Sequence, residues 1–292
     1  MEAPININQT ANPSSAPNPT DDANLIKATS YTHEAYASTA PFVPLLTSRL
    51  TTLLSPSPTD RIIDLGAGNL TLTSTLSRHV SHILALDASE ELLSAGRIQY
   101  PLVTYPNLDT RVLDCRFLMW DGAADGTWDA VFSNAALHWI LRDEGTRHSV
   151  IAGVHDCLKN GGRFVAEMGG FGNIAELHTA LTASLHHHGV SLENIKKANP
   201  WWFPSEVEMR TLLESAGFDV QVIETEWRPT ELPGGVGDWF SMFAVRLLEL
   251  VEEGRRSSVV DMASRMVEGA ARRGDGVWVA GYVRLRWVAV KR

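Results

Sequence analysis

Short apolar runs alternate with helical patterns between Arg61 and Met168, and this alternation constrains the fold more than any other feature of the chain. Each run has the length of a strand, and turns or helical stretches separate successive runs. Strand and helix in this rhythm predict a doubly wound parallel sheet with helices on both faces. We place its strands at Ile62–Leu65, Ile83–Asp87, Arg111–Asp114, Trp128–Ser133 and Gly162–Met168.

The last third of the chain is mixed. Phe218–Trp227 and Val277–Val290 alternate like strands, and their late position places them at the sheet edge as an antiparallel pair. We therefore predict a Rossmann-like, mostly parallel seven-stranded sheet with an antiparallel edge strand and a helical cap. The helical patterns of this region lie at about Ile174–His187, Ser205–Ala216, Gly237–Glu252 and Ser257–Arg272.

Composition changes along the chain and suggests its organisation. Residues 1–20 are rich in Asn, Pro, Ala and Ser, which predicts a disordered tail. A length of 292 residues suggests about two domains, but the motifs favour a single domain over residues 21–292. Within it we assign 21–58 to an N-terminal helical lid, 59–170 to a cofactor-binding core and 171–292 to a helical cap with the C-terminal strands.

The net charge of −9 disfavours two classes of partner. Proteins that bind nucleic acid or anionic membranes usually carry a basic excess, so we expect neither partner. Cys115 and Cys157 are too few for a disulfide framework or a Cys-rich metal site, which favours a reducing compartment. We find neither a signal-peptide pattern nor an apolar run of about 18 residues, and we expect a cytoplasmic protein without a metal site. The oligomeric state stays open.

A glycine turn, Asp64–Asn69, directly follows the first predicted strand. Its glycines allow a sharp turn and a close approach of a ligand to the backbone. Asp87 ends the next strand, where a carboxylate can accept hydrogen bonds from ribose hydroxyls, and Asp114 ends the third, where it can accept from an adenine amino group. Singly, Asp87 could be a helix N-cap and Asp114 a loop acid. Together they predict a site for a nucleoside-containing cofactor.

The spacing of the glycines bears on the identity of that cofactor. A dinucleotide site expects Gly-x-Gly-x-x-Gly, and counting from Gly66 the third position is Thr71. NAD is therefore disfavoured. The candidate is S-adenosylmethionine (SAM), because a cofactor without phosphates needs fewer free backbone N–H groups. Its demethylated product is S-adenosylhomocysteine (SAH).

These segments resemble the motifs of class I SAM-dependent methyltransferases. The resemblance covers the first motif, the second motif, the adenine-contacting segment and the "L-x-x-G-G" element, at Arg61–Gly68, Leu84–Ser89, Leu113–Cys115 and Leu158–Arg163 respectively. Trp128–Trp139 is similar to the fourth-strand segment of the trans-aconitate methyltransferase-like branch, and Arg228–Thr230 followed by Trp239 also resembles that branch.

The resemblance implies a set of cofactor contacts. Gly66 and Gly68 would line the methionine part of SAM with Asn134, whereas Asp87 would bind the ribose. The adenine would lie against Asp114 and Cys115. The family usually has a glycine where this chain has Leu70, a side chain that either crowds the carboxylate end of SAM or points into the helix–sheet contact. Asp64, Ala67 and Ala88 complete the predicted cofactor set.

The sequence constrains the binding site for the methyl acceptor less than the cofactor site. Methyl transfer mainly needs alignment and exclusion of water, and a base is needed only for a poorly ionised nucleophile. His138 is the candidate base or substrate-positioning group, although it could equally be a structural histidine packed on Trp139. Arg228 could hold a substrate carboxylate or be a surface arginine. The predicted substrate-binding residues are Tyr31, Tyr36, His138, Trp139, Arg228 and Trp239.

We therefore predict a SAM-dependent methyltransferase that acts on a small molecule by in-line SN2 displacement, most readily an O-methylation of a carboxylate or hydroxyl. The alternative is a protein of the same fold that binds the cofactor or a partner without transferring a methyl group.

Overall fold

A seven-stranded sheet runs through the computed structural model, which describes residues 48–292. In space the strands follow the order β3-β2-β1-β4-β5-β7-β6. β7 is antiparallel to both of its neighbours, and the other paired strands are parallel. The predicted fold class is confirmed, with the antiparallel pairing at the β6 edge. The strands are β1 Arg61–Leu65, β2 His82–Asp87, β3 Leu108–Val112, β4 Trp128–Asn134, β5 Leu158–Gly169, β6 Phe218–Glu231 and β7 Val279–Lys291.

The strand order reverses at β1, which lies between β2 and β4. In sheets of this kind, ligands bind in the crevice outside the carboxyl ends of the strands where the order reverses. The turn after β1 and the ends of β2 and β4 therefore meet at one place. This is the edge to which the sequence assigned the cofactor.

Helices cover both faces of the sheet and form a cap beside it. A 3₁₀ helix follows β3 at Cys115–Trp120. The α-helices of the described residues are α1 Ser48–Leu54, α2 Thr71–Ser77, α3 Glu90–Gln99, α4 Leu137–Ile140, α5 Arg147–Cys157, α6 Ala175–His187, α7 Leu192–Ala198, α8 Glu206–Ser215, α9 Gly235–Phe243, α10 Val245–Leu248 and α11 Glu253–Ala271.

Several elements differ from the sequence prediction. β3 begins at Leu108, before the predicted strand, and the helix predicted over Gly237–Glu252 is interrupted at Ala244. α7 was not predicted, because seven residues are too few for a helical period to be visible. A local signal was available in Ser191, whose hydroxyl accepts the Asn194 N–H as an N-cap.

Apolar side chains from three groups of elements form the core. β1 is buried at four of its five positions, as expected for a strand covered on both faces. Leu50 and Leu54 of α1 are fully buried beside Val165 of β5. The cap has its own cluster around Trp239 and Phe240. The predicted tail and residues 21–47 of the predicted lid lie outside the described residues, and none of the described helices is long and apolar enough to cross a membrane.

Candidate cofactor site

The glycine turn after β1 is held by hydrogen bonds to β2. The Gly66 N–H donates to the Leu86 carbonyl at 2.8 Å, and Gly66 has a φ of 72°. A Cβ at Gly66 would lie 2.2 Å from the Cβ of Ala136. Gly68 also has a positive φ, 57°, but a Cβ there would meet open space. The positive φ and the close contact with Ala136 both require glycine at position 66. At position 68 only the positive φ favours glycine, because a side chain there would point into open space.

Asp87 is fixed at the end of β2 by two backbone donors. Its Oδ2 accepts from the Gly68 N–H and its Oδ1 from the Ser89 N–H, both at 2.8 Å. Burial raises the pKa of Asp87 from its usual value, and these hydrogen bonds oppose the rise. Each carboxylate oxygen has a further lone-pair direction, so the oriented carboxylate can accept two more hydrogen bonds from a diol.

Leu70 points away from this turn. It is fully buried and adopts a φ of 64° directly before α2. A Cβ on Gly96 of α3 would lie 2.6 Å from the Leu70 Cγ, so the leucine occupies space that the glycine leaves free. Of the two orientations that the sequence left open, the structure has Leu70 in the helix–sheet contact.

Asp114 and Cys115 lie where β3 passes into the 3₁₀ helix. The Asp114 carboxylate pairs with Arg116 at 2.6 Å and accepts the Arg116 N–H at 3.0 Å. Arg116 is 6% exposed, and burial raises the pKa of the Cys115 thiol well above its usual value. Arg116 therefore offsets the charge of Asp114, and Cys115 is a protonated, weakly polar side chain.

β4 contributes the opposite wall. Asn134 ends the strand, and Ala135 follows with a φ of 57° while its N–H donates to the Glu167 carbonyl at 2.8 Å. The wall continues through Trp139, whose carbonyl accepts from Arg142 at 3.3 Å. The lining residues between Asn134 and Arg142 thus form the side facing the glycine turn.

One cavity joins these elements at the carboxyl ends of β1, β2 and β4. Eight predicted site residues line it: Gly66, Gly68, Asp87, Ala88, Asp114, Cys115, Asn134 and Trp139. The prediction missed eight others: Asn69, Ser89, Leu92, Arg116, Ala135, Ala136, Ile140 and Arg142. We call this space the cofactor cavity. Tyr31 and Tyr36 lie outside the described residues.

Asp64 and Ala67 belong to the turn but not to the cavity lining of the described residues. Asp64 is 3% exposed and accepts from the Thr73 hydroxyl at 2.7 Å. Burial raises the pKa of Asp64 to about 7, and the charge of Asp87 adds to the rise. Asp64 therefore supports the turn from within the fold, and direct contact with the cofactor is not supported for it.

His138, the predicted base or substrate-positioning group, lies behind the wall of the cofactor cavity. It is 8% exposed, lies outside the residues that line the cavity, and has ring contacts with Trp139 and Phe203. Its Nδ1 accepts from the Gly169 N–H at 3.4 Å. Burial, helped by the charge of Arg284, lowers the pKa of His138 to about 3. A ring with so low a pKa is a weak proton acceptor, and it lies outside the described cavity lining, so this geometry does not favour a catalytic base; its contacts match the structural histidine left open above.

Arg228 and Trp239 also lie away from the cofactor cavity. Arg228 points both of its terminal nitrogens at Glu167, each at 3.2 Å from a carboxylate oxygen. The Trp239 indole N–H donates to the Tyr282 hydroxyl at 2.7 Å within the cap. Arg228 is thus neither a surface arginine nor a contact of the cavity, because its fork binds a buried carboxylate.

The cofactor cavity fits a nucleoside ligand without phosphates. The N–H groups of Gly66 and Ala67 donate to the Leu86 carbonyl and that of Gly68 to Asp87, so these donors are engaged within the protein. A pyrophosphate would need such donors free. The carboxylate of Asp87 supplies acceptors for hydroxyl groups instead, and Asp114, paired with Arg116, also lines the cavity. Fold and site together define the class of doubly wound enzymes that bind SAM at the switch point of the sheet.

Known sequences lead to the same class. A family profile described as a methyltransferase domain matches residues 63–166. An uncharacterized methyltransferase of Schizosaccharomyces pombe is 36% identical over 260 residues, which cover 88% of this chain and 96% of the relative. The chain belongs to the class I SAM-dependent methyltransferase family; SAM is its cofactor. The trans-aconitate branch has no support beyond the resemblance.

Solved structures with low sequence identity share the fold. A candidate methyltransferase of Bacillus halodurans superposes with a TM-score of 0.58 at 12% identity, covering 85% of this chain and 99% of its own. The geranyl diphosphate C-methyltransferase of Streptomyces coelicolor, solved with Mg²⁺, geranyl diphosphate and SAH, has a TM-score of 0.50 at 16% identity, with coverage of 85% and 80%. At this identity the likeness concerns the fold alone, and the acceptor must be argued from the site.

Proposed function

We propose that this methyltransferase acts on a small molecule and transfers the methyl group to oxygen, most readily to a carboxylate and otherwise to a hydroxyl. The observation that carries the proposal is the composition of the cofactor cavity. Among its described lining residues the ionisable groups are Asp87, Asp114, Cys115, Arg116 and Arg142. The first two face the nucleoside in our assignment, the thiol stays protonated, and arginines do not accept protons at neutral pH.

A carboxylate acceptor suits such a site. It is ionised at neutral pH, so it attacks without first losing a proton, whereas a hydroxyl or an ammonium group calls for a base. When bound, SAM supplies a methyl group already activated on a sulfonium. The task left to the protein is then to align the acceptor oxygen for in-line displacement and to exclude water.

Each wall of the cavity has a role in this proposal. Asp87, fixed by Gly68 and Ser89, would bind the ribose hydroxyls, and Asp114 with Cys115 would border the adenine. Asn134 would lie beside the methionine part. On the β4 side the apolar surfaces of Trp139 and Ile140 would exclude water from the reacting atoms.

The net charge of −9 supports a small-molecule acceptor rather than nucleic acid or a membrane surface. We likewise propose a cytoplasmic location, and that residues 21–58 act as a lid over a core of residues 59–170 with a cap of residues 171–292. Removal of residues 1–20 should leave SAH affinity unchanged, and removal of residues 1–47 should weaken it.

A labelled-methyl assay tests the proposed acceptor class. Purified full-length protein is incubated with methyl-labelled SAM and panels of small acids, alcohols and amines, and the products are treated with mild alkali. A methyl ester releases volatile labelled methanol, whereas methyl ethers and N-methyl groups keep the label. Base-labile label, absent with Asp87→Ala, supports carboxylate methylation; base-stable label in the alcohols supports the hydroxyl alternative. Label in amines, or label in added RNA or protein alone, contradicts the proposal.

A further inference from the structure

Helix α3 borders both the cofactor cavity and the glycine turn. Ser89, its N-cap, and Leu92, in its first turn, line the cavity. Gly96 lies four residues after Leu92 and is buried, so it continues the same face of the helix. Its backbone is helical, and a glycine inside a helix costs about 1 kcal/mol relative to alanine. The absence of a side chain at Gly96 therefore calls for a packing reason.

The glycine turn occupies the space next to Gly96. A Cβ on Gly96 would lie 2.6 Å from the Leu70 Cγ, 2.7 Å from the Asn69 carbonyl oxygen and 2.8 Å from the Asn69 carbonyl carbon. Non-bonded carbon atoms pack about 3.5–4.0 Å apart, so a methyl group at position 96 would displace the turn. Asn69 itself lines the cofactor cavity. The missing side chain of Gly96 thus lets a cavity-lining part of the turn pack directly on α3.

Leu70 is held firmly in this contact. Its side chain is fully buried, and its backbone has a φ of 64°. The Leu70 N–H donates to the Ala67 carbonyl at 3.2 Å, and the Leu70 carbonyl accepts the Ser74 N–H at 2.8 Å. Because the side chain is enclosed and both backbone groups are bonded, the leucine cannot move away from α3 without moving the turn.

The position of Asn69 is linked to the carboxylate assigned to the ribose. The Asn69 Oδ1 accepts from the Thr71 hydroxyl at 2.9 Å, which ties its side chain to the start of α2. The preceding residue, Gly68, donates its N–H to the Asp87 Oδ2 at 2.8 Å. A shift of the Asn69 backbone would therefore disturb a hydrogen bond that orients Asp87.

We propose that Gly96 is a positioning residue for SAM, and that its small size compensates for the large side chain of Leu70. The two residues form a large–small pair across the contact between α3 and the turn. The pair holds Asn69 in place, and through the turn it sets Gly68 and Asp87 for the cofactor. This inference rests on the cofactor cavity that the proposed function uses and is independent of the methyl acceptor.

An exchange of side-chain size between the two positions tests the inference. The affinity of the full-length protein for SAH is measured by titration calorimetry, at a temperature at which circular dichroism shows each variant to be folded. Gly96→Ala should bind SAH about 10-fold more weakly than the wild type, or worse, because the added methyl group displaces the turn. The double variant Leu70→Gly/Gly96→Ala should bind SAH at least about 3-fold more tightly than Gly96→Ala. In it the alanine can occupy space that the leucine vacates, and glycine readily adopts the positive φ.

Gly162→Ala is the matched control. A Cβ on Gly162 would lie 2.8 Å from the Lys159 carbonyl oxygen, which is a similarly close contact with backbone. Gly162 belongs to β5 and lies outside the described residues that line the cofactor cavity. We expect this variant to have a lower free energy of unfolding and, while folded, an SAH affinity within about 2-fold of the wild type. The control separates a positioning effect on the cofactor from a general loss of stability.

An SAH affinity of Gly96→Ala within about 2-fold of the wild type would overturn the inference, as would a double variant that binds no better than Gly96→Ala. If Gly96→Ala does not fold, Leu70→Ala decides the question, because it leaves the space beside Gly96 unfilled. Leu70→Ala should bind SAH at least about 3-fold more weakly than the wild type, and unchanged affinity would overturn the inference. Wild-type SAH affinity in Asp87→Ala would instead count against the assignment of the cavity, and so against the proposed function.

Discussion

The two halves of the sheet use different means to build a site. Around β1, β2 and β4 the cofactor cavity is shaped largely by backbone: a glycine turn with two positive φ angles, and N–H groups that fix Asp87. Around β5, β6 and β7 long side chains from distant parts of the chain, Arg228, Arg286 and Glu167, form a largely buried charged cluster. Backbone geometry suits a constant ligand, the cofactor, whereas side chains can change from one family member to the next. The difference teaches that sequence motifs identify the cofactor and leave the acceptor open.

The largest expected effect comes from Gly66→Ala, which adds one methyl group to the glycine turn of the cofactor cavity. Gly66→Ala would bring its Cβ to 2.2 Å from that of Ala136, in addition to a positive φ that costs about 1 kcal/mol for a side chain. We expect loss of SAH binding in calorimetry together with a lowered Tm. Gly68→Ala is the control, because its Cβ meets open space; its free energy of unfolding should stay within about 1 kcal/mol of the wild-type value, so its Tm should fall much less than that of Gly66→Ala. Equal Tm losses in the two variants would contradict this account of the turn.

Asp87→Ala should have the next largest effect, and the substitution lies only in the half of the sheet that forms the cofactor cavity. Removing an acceptor of two charge-assisted ribose hydrogen bonds should weaken SAH binding about 100-fold, or about 2.7 kcal/mol. Asp219→Ala, an exposed acid on β6, should bind SAH as the wild type does. Wild-type SAH affinity in Asp87→Ala would show that the ribose lies elsewhere.

Asp64→Asn should alter the pH dependence of stability. The pKa of Asp64 is about 7 in the folded protein against an ordinary 3.8, so between those values the folded state holds a proton that the unfolded state has lost. The free energy of unfolding of the wild type therefore carries a contribution from Asp64 that falls as pH rises through this window. Asparagine keeps an acceptor for Thr73 and does not titrate. The Tm of the variant relative to wild type should rise from pH 5 to pH 8, and a Tm difference that stays constant with pH would contradict the prediction.

The smallest effect is expected at His138. With a pKa of about 3 the ring stays neutral between pH 6 and 9, so it should add no limb to the activity profile there. His138→Gln, which keeps an acceptor for the Gly169 N–H, should change kcat by less than about 10-fold and leave the shape of the profile unchanged. A base would contribute about 100-fold or more. A fall of that size at unchanged SAH affinity would return His138 to a catalytic role.

The sequence was sufficient to predict the position of a residue where neighbouring residues in one short segment determine the local backbone. Gly66, Gly68 and Asp87 follow from one strand–turn–helix unit and the end of the next strand, so their positions were predictable. Leu70 was not, because its direction depends on the space left by Gly96, a residue of another helix. Arg116 gave a weak local signal, since it lies two residues after an acid that caps a helix.

The charged cluster on β5, β6 and β7 could not be predicted, for a different reason. Arg284 and Arg286 reach Glu167 only because β7, near the end of the chain, inserts next to β5. Nothing in the local pattern distinguishes these arginines from those of a solvated strand. Arg228 carried the family resemblance, yet the register of β6 against β7 directs it to Glu167 rather than to the cofactor cavity.

A crystal structure of the full-length protein with SAH tests the central claim most directly. We predict SAH in the cofactor cavity, with its ribose hydroxyls hydrogen-bonded to Asp87, its adenine beside Asp114 and Cys115, and its sulfur on the Asn134 side. SAH bound elsewhere, or with its ribose away from Asp87, would contradict the account.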